Sequence, residues 1–311
     1  MGYSSENTLG GIPLAESKFR LNKESAIDNT DTKDLMSSIE LWKNASAKVI
    51  GYPGGRITDR DGNTYRYGDG KRLLIEADNT TMQVMDTCEA PWAVETVDQA
   101  FATKTIKGMN PKHKLRVLER GAGLNIAGTK VIDHLMQRGS GEYHVIELNQ
   151  DVLQNEEFGV YAWKDIMMRS IKDKSERSGI KYDIDIVIHE GDAREVTRRL
   201  ENEKKKFNII ISDTFPLEKT ETGVNDIEDI ATLTKILYSK EGVFTFFAYY
   251  PGMEDISGSH LSAEQLALLR PHFSNIAVSE APVKPARGYD YLFNNGFPIK
   301  NLPVVICEGK K

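Results

Sequence analysis

One stretch, Leu115–Asn149, constrains the fold most strongly in this chain of 311 residues. An apolar run ends in Glu119 and is followed by a turn that contains Gly121 and Gly123. A helical pattern comes next, and a second apolar run ends in Glu147. Glycines allow the backbone to approach a ligand closely, a helix N-terminus offers unpaired N–H groups, and an acid at the next strand's tip can bind ribose hydroxyls. The stretch therefore predicts a strand, loop, helix and strand that bind a nucleoside.

The charges around this turn favour a cationic ligand over a phosphate. A dinucleotide-binding turn has the pattern G-x-G-x-x-G, whereas Gly121, Gly123 and Gly128 give G-x-G-x-x-x-x-G. Glu119 would repel a phosphate, but it would attract an amino group or a sulfonium. S-adenosylmethionine carries both cations and no phosphate, so we predict this cofactor. A generic Rossmann-like turn that binds no such ligand is the alternative interpretation.

Two later apolar runs are also followed by acids. Asp183–Glu190 precedes Asp192, and Phe207–Ser212 precedes Asp213. A single acid in such a place more often caps a helix. Ligands of open α/β sheets, however, bind at the carboxyl ends of the strands. Four successive strands with polar or acidic tips therefore favour a binding pocket.

Four segments make the chain resemble S-adenosylmethionine-dependent methyltransferases of the Rossmann-like type, and more narrowly guanidinoacetate methyltransferase and its arginine-methylating relatives. These segments are VMDTCEAPWA (Val84–Ala93), LERGAGLNIAG (Leu118–Gly128), VIELN (Val145–Asn149) and SDTFPL (Ser212–Leu217). In that family, a V-M-x-x-x-E-x-P segment closes over the cofactor, and a D-T-Y-P-L segment ends the fourth strand. The order of elements matches the family from Trp42 onward.

The charge argument and the resemblance together imply a set of cofactor-binding residues. The resemblance assigns the methionine part of the cofactor to the backbone around 122–127, and the ribose to Glu147. It implies that Asp192 borders the adenine and that Met85 packs on the cofactor. The full set is Met85, Glu119, Gly121, Ala122, Gly123, Leu124, Asn125, Glu147, Leu148, Asn149, Asp192, Ala193 and Asp213.

The resemblance implies that two acids, Asp213 and Glu89, face the guanidinium or amine of a substrate. We predict that both are catalytic, with Asp213 as the main base and Glu89 as a second clamp. The alternative is a turn cap for Asp213 and a helix-start acid for Glu89. The predicted substrate-binding residues are Trp42, Glu89, Thr214 and Tyr249.

Three functions stay open at this point. The first is an N-methyltransferase that acts on a small guanidino or amino compound resembling arginine, or on a protein arginine. The second is an enzyme of secondary metabolism that transfers the aminocarboxypropyl group of the cofactor or cyclises it. Cys88, where the family usually has tryptophan, and the inserted stretch Gly51–Asn79 leave that chemistry open. The third is a binding scaffold without catalysis.

Composition argues against several other classes. The net charge is −6 and the pI about 5.7, which does not favour a nucleic-acid surface. No apolar run reaches the ~20 residues that a membrane span needs. Two cysteines do not suggest a disulfide framework, and the six histidines show no metal-ligand spacing, so we predict no metal. We expect a cytoplasmic protein with a small-molecule substrate, and a homodimer is possible.

The pattern along the chain predicts three regions: a mobile tail at 1–33, an N-terminal lid region at 34–113 and a cofactor-binding domain at 114–311. In the lid region we expect a helix from Thr32 to about Ile50 and a β-hairpin of Arg56–Thr58 with Thr64–Tyr67.

The fold class predicted for the domain is α/β, with a Rossmann-like, mostly parallel sheet of seven strands, an antiparallel edge hairpin and helices on both faces. The predicted strands are Leu115–Leu118, Tyr143–Ile146, Asp185–Ile188, Phe207–Ile211, Gly242–Ala248, Ile276–Ala281 and Leu302–Cys307. The predicted helices are Asn125–Gln137, Gln150–Lys172, Ala193–Lys204, Ile227–Tyr238 and Ala263–Leu269.

Overall fold

The structure is a computed structural model. It describes residues 39–52, 55–58, 64–67, 70–77, 80–214, 227–239, 242–248, 261–283, 293–294, 297–298 and 300–311. The predicted tail at 1–33 and the predicted substrate residue Tyr249 lie outside these described residues.

The strands of the main sheet are β6 (Leu115–Arg120), β7 (Ser140–Glu147), β8 (Asp183–Glu190), β9 (Ile209–Ser212), β10 (Val243–Phe246), β11 (Phe273–Pro282) and β14 (Asn301–Lys310). Their spatial order is β11-β14-β10-β9-β6-β7-β8. Strands β10, β9, β6, β7 and β8 are parallel, and β14 runs antiparallel to β10 and β11. The predicted α/β sheet of seven strands is confirmed, including the antiparallel pairing of its last two strands.

Helices cover both faces of this sheet. They are α1 (Ala90–Ala102), α2 (Lys104–Lys107), α3 (Ile126–Arg138), α4 (Gln150–Gln154), α5 (Val160–Ser178), α6 (Ala193–Asn202), α7 (Ile230–Ile236) and α8 (Ala263–Leu269). Successive strand residues point to opposite faces. Val117 and Val145 therefore share a core with α1, α3 and α5, whereas Leu118 and Ile146 share a second core with α6, α7 and α8.

The N-terminal region contains a second, smaller sheet. Its strands β1 (Ser46–Tyr52), β4 (Gly70–Ala77) and β5 (Thr80–Asp86) pair antiparallel in the order β1-β4-β5. The expected hairpin is present as β2 (Gly55–Thr58) and β3 (Thr64–Tyr67). Short strands β12 (Phe293–Asn294) and β13 (Phe297–Pro298) form a further pair. The described residues between 46 and 86 are thus β-strands.

The predicted helix over Thr32–Ile50 is wrong at its C-terminal end. Helical structure stops at 43, and β1 begins at Ser46. Ala45 and Ala47 are buried while Ser46 is exposed, which is the period of two that a half-buried strand shows. Pairing with β4, which is distant in sequence, determines this strand.

The predicted helix Gln150–Lys172 is also wrong, because it is divided into α4 and α5. The side chain of Asn155 accepts hydrogen bonds from the N–H groups of Glu157 (2.9 Å) and Phe158 (3.3 Å). An asparagine side chain that bonds nearby backbone offers the chain an alternative to the helix. Gly159 then starts the second helix.

Within the described ranges, no helix is both long enough and apolar enough to cross a membrane. In the same part of the chain, no three His, Cys, Asp or Glu side chains are grouped in a way that could hold a metal ion.

Candidate cofactor and substrate site

Several of the predicted site residues lie at one edge of the main sheet. In the parallel register, Arg120 lies beside Ser212 on one side and Ile146 on the other, and Glu147 lies beside Glu190. The strands β9, β6, β7 and β8 therefore end at the same level. The residues that follow β6, β7 and β8, and Asp213 after β9, lie at this edge, which is where ligands of open α/β sheets bind.

The glycine turn after β6 is packed too tightly for side chains. Gly121 has φ +86°, and a Cβ there would lie 2.1 Å from the carbonyl oxygen of Asp213. Gly123 has φ +48°, and its Cβ would lie 2.6 Å from the sulfur of Met85. These positive φ values and close contacts require glycine. The turn consequently brings together the end of β9 and the end of β5.

Met85 rests directly on this turn. Its side chain is buried, and its sulfur accepts a hydrogen bond from the N–H of Leu124 at 3.1 Å. Methionine is a polarizable and adaptable side chain that fills irregular gaps. The N-terminal region thereby contributes a residue to the glycine turn.

Glu147 binds the same turn from the side of β7. One carboxylate oxygen accepts from the N–H of Ala122 at 3.1 Å. The other accepts from the N–H groups of Leu148 and Asn149, each at 2.9 Å. Burial raises the pKa of Glu147, and these backbone donors oppose that rise. The turn and the strand end are therefore held in place by a single acid.

Glu119 is a second acid beneath the turn, and it is a buried residue, 3% exposed. The hydroxyl of Tyr143 donates a hydrogen bond to it. Burial raises the pKa of Glu119 to about 8, the Tyr143 hydrogen bond opposes the rise, and the nearby charge of Glu147 adds to it. A carboxyl group in such surroundings is mostly protonated at neutral pH, and a neighbouring cation would favour its charged form.

Gly128, the displaced third glycine of the turn pattern, has a packing role. It lies in α3, and a Cβ there would lie 2.5 Å from the Tyr143 hydroxyl and 3.3 Å from the ring of Trp163. The Trp163 indole donates to the hydroxyl of Thr129 (2.9 Å), which donates to the carbonyl of Asn125 (2.8 Å). The helix therefore approaches β7 closely enough for Tyr143 to support Glu119.

Asn125 carries an acceptor that no described group satisfies. It adopts the left-handed conformation (φ 58°) that asparagine tolerates better than most residues. Its amide nitrogen donates to the carbonyl of Phe158 at 3.3 Å, but its buried side-chain oxygen has no hydrogen-bond partner in the described part of the chain. Together with Glu119 and Glu147, this oxygen gives the site three acceptors. Such a set fits hydroxyl and ammonium groups and does not fit phosphate.

Asn149 joins the N-terminal region to this site. Its amide nitrogen donates to the carbonyl oxygens of Trp42 (2.8 Å) and Ala45 (2.9 Å). Its amide oxygen accepts from the N–H of Val152 at 2.8 Å, which caps α4. The neighbouring Asp151 accepts from the N–H of Ala47 at 2.7 Å. The sequence analysis placed Asn149 among the cofactor-binding residues and missed this link to the predicted substrate residue Trp42.

The turn after β8 is placed next to Glu147. The N–H of Gly191 donates to the carbonyl of Glu147 at 2.9 Å. Asp192 is the N-cap of α6, because one of its oxygens accepts from the N–H groups of Arg194 (3.0 Å) and Glu195 (3.2 Å). Ala193 is the first residue of that helix. The capping interpretation of Asp192 is thus observed, at a position that also borders the site.

The two predicted catalytic acids have different surroundings. Asp213 directly follows β9, and its N–H donates to the carbonyl of Arg120 at 2.9 Å. Thr214 comes next, and its Cα lies 3.5 Å from the Cβ that Gly121 would carry. Glu89 is buried, and one of its oxygens accepts from the N–H of Asp86 at 3.1 Å in a capping box. Asp213 therefore borders the glycine turn, and Glu89 has a helix-start role.

Comparison with known proteins adds only a distant similarity of fold. No family model matches the chain, and no curated protein matches it. MNMC2 from Aquifex aeolicus has a TM-score of 0.39 and 14% identity, over 92% of this chain and 79% of its own. SMU.776, assigned as a methyltransferase and complexed with SAH, has a TM-score of 0.39 and 11% identity, over 82% of this chain and 56% of its own. The plantazolicin methyltransferase BpumL, in complex with SAH, has a TM-score of 0.34 and 11% identity, over 71% of this chain and 85% of its own. Similarity of this degree carries no argument about function.

Proposed function

We propose that this protein is an S-adenosylmethionine-dependent methyltransferase. One observation carries the proposal: the buried Glu119 and the half-buried Glu147 lie beneath a tight glycine turn at the carboxyl ends of adjacent parallel strands. In their ionised form, acids in this position repel the phosphates of a dinucleotide and attract an ammonium, and their oxygens accept hydrogen bonds from ribose hydroxyls. S-adenosylmethionine has these groups and no phosphate.

The cofactor would be held by residues that already surround the turn. Glu147 would bind the ribose hydroxyls, and Glu119 with the unpaired amide oxygen of Asn125 would accept from the amino group. Met85 would cover the turn from the N-terminal region, and Asp192 with Ala193 would border the adenine. When bound, the cofactor supplies a methyl group on a sulfonium that is already activated for displacement.

We further propose that the substrate is a small guanidino or amino compound. The SDTFPL and VMDTCEAPWA segments, which resemble the guanidinoacetate methyltransferase group, support this substrate class. A cationic nitrogen has to lose a proton before it can attack, so the site needs a carboxylate that binds it and then accepts that proton. Asp213 beside the glycine turn would have this role. Thr214, Trp42 and Glu89 would line the substrate side.

A turnover assay with mass detection tests this function. The protein would be incubated with S-adenosylmethionine and either guanidinoacetate or arginine, and products would be searched for the mass of one added methyl group. We expect methylated product and S-adenosylhomocysteine, and we expect Asp213→Asn to reduce turnover strongly. Glu190→Gln, at the exposed end of strand β8, is the control.

Two results would contradict the proposal. Release of methylthioadenosine in place of S-adenosylhomocysteine would indicate transfer of another part of the cofactor. Full turnover by Asp213→Asn would remove this residue from catalysis.

A further inference from the structure

Arg120 is a buried charged residue that the proposed chemistry does not use. It stands between Glu119 and Gly121 and is 1% exposed. Because successive strand residues face opposite sides, Arg120 points away from the core that contains Tyr143, toward the side that α7 covers. Its guanidinium therefore belongs to a different environment from the acid that precedes it.

The guanidinium bonds two points that are far apart in sequence. Its Nη1 donates to the hydroxyl of Ser212 at 3.0 Å, and its Nη2 donates to the carboxylate of Asp229 at 2.9 Å. Ser212 is the last residue of β9, and Asp229 directly precedes α7. Asp213 and Thr214 lie between these two points, and the carbonyl of Arg120 also accepts from the N–H of Asp213.

We propose that Arg120 is a positioning residue. By bonding Ser212 at the end of β9 and Asp229 at the start of α7, it holds Asp213 in position. This inference rests on the proposed function in so far as Asp213 is the base. The planar fork of a guanidinium can serve two acceptors at once, which a lysine ammonium on a flexible stem does poorly. Buried ion pairs are weak stabilisers compared with apolar packing. A fixed arrangement of the two flanks therefore explains the presence of a charge here better than stability does.

The ion pair of Arg120 and Asp229 is well suited to this role because the two side chains have few other hydrogen-bond partners among the described residues. Within the described residues, the Nε of Arg120 and the second oxygen of Asp229 have no hydrogen-bond partner. The side chain of Asp229 caps no helix N–H. Its described contact is thus the guanidinium, so a change at Asp229 reaches Asp213 by way of Arg120.

Amide hydrogen exchange on the full chain tests this transmission. Asp229→Asn removes the charge of the partner at nearly constant volume. We expect exchange of the Asp213 amide to accelerate about tenfold or more, together with the Thr232 and Leu233 amides that bond the carbonyl of Asp229. Amides of β7 and the affinity for S-adenosylhomocysteine should change by no more than about threefold.

The matched control is Glu142→Gln. Glu142 is the acid that pairs with Arg116, which lies on the same strand β6 at 2.9 Å from it. This variant should leave exchange at Asp213 unchanged. Arg120→Lys gives a second arm, which keeps the positive charge but loses the fork. We expect it to accelerate exchange at Asp213 and to lower the kcat for methylation of a substrate without raising the KM for the cofactor. Should Asp229→Asn fail to fold, Arg120→Lys and Asp229→Glu carry the comparison.

Two results overturn the proposal. One is an Asp213 amide that exchanges at the wild-type rate in Asp229→Asn and in Arg120→Lys. The other is acceleration of equal size in every strand, which would indicate a general loss of stability. Failure of the wild type to bind S-adenosylhomocysteine would contradict the proposed function instead, and the exchange comparison would still decide the role of Arg120.

Discussion

Glu119 should make cofactor binding depend on pH, and the size of the effect follows from its environment. The pKa of this acid is raised to about 8 by burial. At pH 7 the group lies about one pH unit below its pKa, so roughly one molecule in ten carries the carboxylate. One pKa unit corresponds to about 1.4 kcal/mol. If the ammonium of the ligand binds the carboxylate form, binding at pH 7 is weakened by about that amount and releases about one proton.

The test is calorimetric titration with S-adenosylhomocysteine at pH 6, 7 and 8, in two buffers with different heats of ionisation. For the wild type we expect the affinity to rise about tenfold from pH 6 to pH 7, with proton release. For Glu119→Gln we expect little pH dependence and no released proton. Tyr143→Phe removes a hydrogen bond that lowers the pKa of Glu119, so the rise in affinity should shift to higher pH.

The stability of the free protein should change in the opposite sense. The pKa of Glu119 is raised in the folded state, so its contribution to the free energy of unfolding is fully present below about pH 4.5 and is lost as the pH rises through about 8. Glu119→Gln should therefore lose less stability than the wild type over this interval. An identical pH slope of affinity for the wild type and Glu119→Gln would refute the reasoning.

Two further predictions concern residues around the site, and a third concerns His189 on strand β8. Gly128→Ala should destabilise the fold by about 1–3 kcal/mol in denaturant titrations, because its Cβ would lie 2.5 Å from the Tyr143 hydroxyl; an unchanged midpoint would contradict this packing. Asn149→Ala should cost about 2 kcal/mol or more and speed proteolysis near Trp42, because two carbonyl groups and the α4 cap lose their partner; equal cleavage rates would argue against the link. Burial lowers the pKa of His189 to about 4, so its contribution to stability is present above about pH 6.5 and is lost as the pH falls toward 4. Thermal unfolding from pH 7 to pH 4 should show this loss, and His189→Gln should reduce it.

The parts of the fold that sequence reasoning predicted are those encoded locally. Apolar runs with polar tips gave the strands β6 to β9, and Gly121 with Gly123 gave the turn. Strand β1 was missed because its pairing partner β4 lies distant in the chain. The capping role of Glu89 was visible in the sequence, since Asp86 three residues before it completes a capping-box pattern.

The contacts that organise the site were harder to predict from the sequence. Gly128 was identified only as the displaced third glycine of the turn pattern, and its packing partner Tyr143 comes from the next strand. Arg120 and Asp229 are more than a hundred positions apart, and no spacing rule joins them. Such pairs depend on how the strands assemble, so the residue types alone do not predict them.

Titration of the wild type and of Glu147→Ala with S-adenosylhomocysteine examines the proposed cofactor site most directly. Glu147 accepts hydrogen bonds from three backbone N–H groups at the turn and the strand end. Glu190, which lies beside it in the strand register, is exposed, so Glu190→Ala is the control. We predict that the wild type and Glu190→Ala bind the ligand and that Glu147→Ala loses binding by about a hundredfold or more, as expected for a charged group that bonds the ligand directly. A wild type that does not bind, or a Glu147→Ala protein that binds equally well, would contradict the assignment of this site.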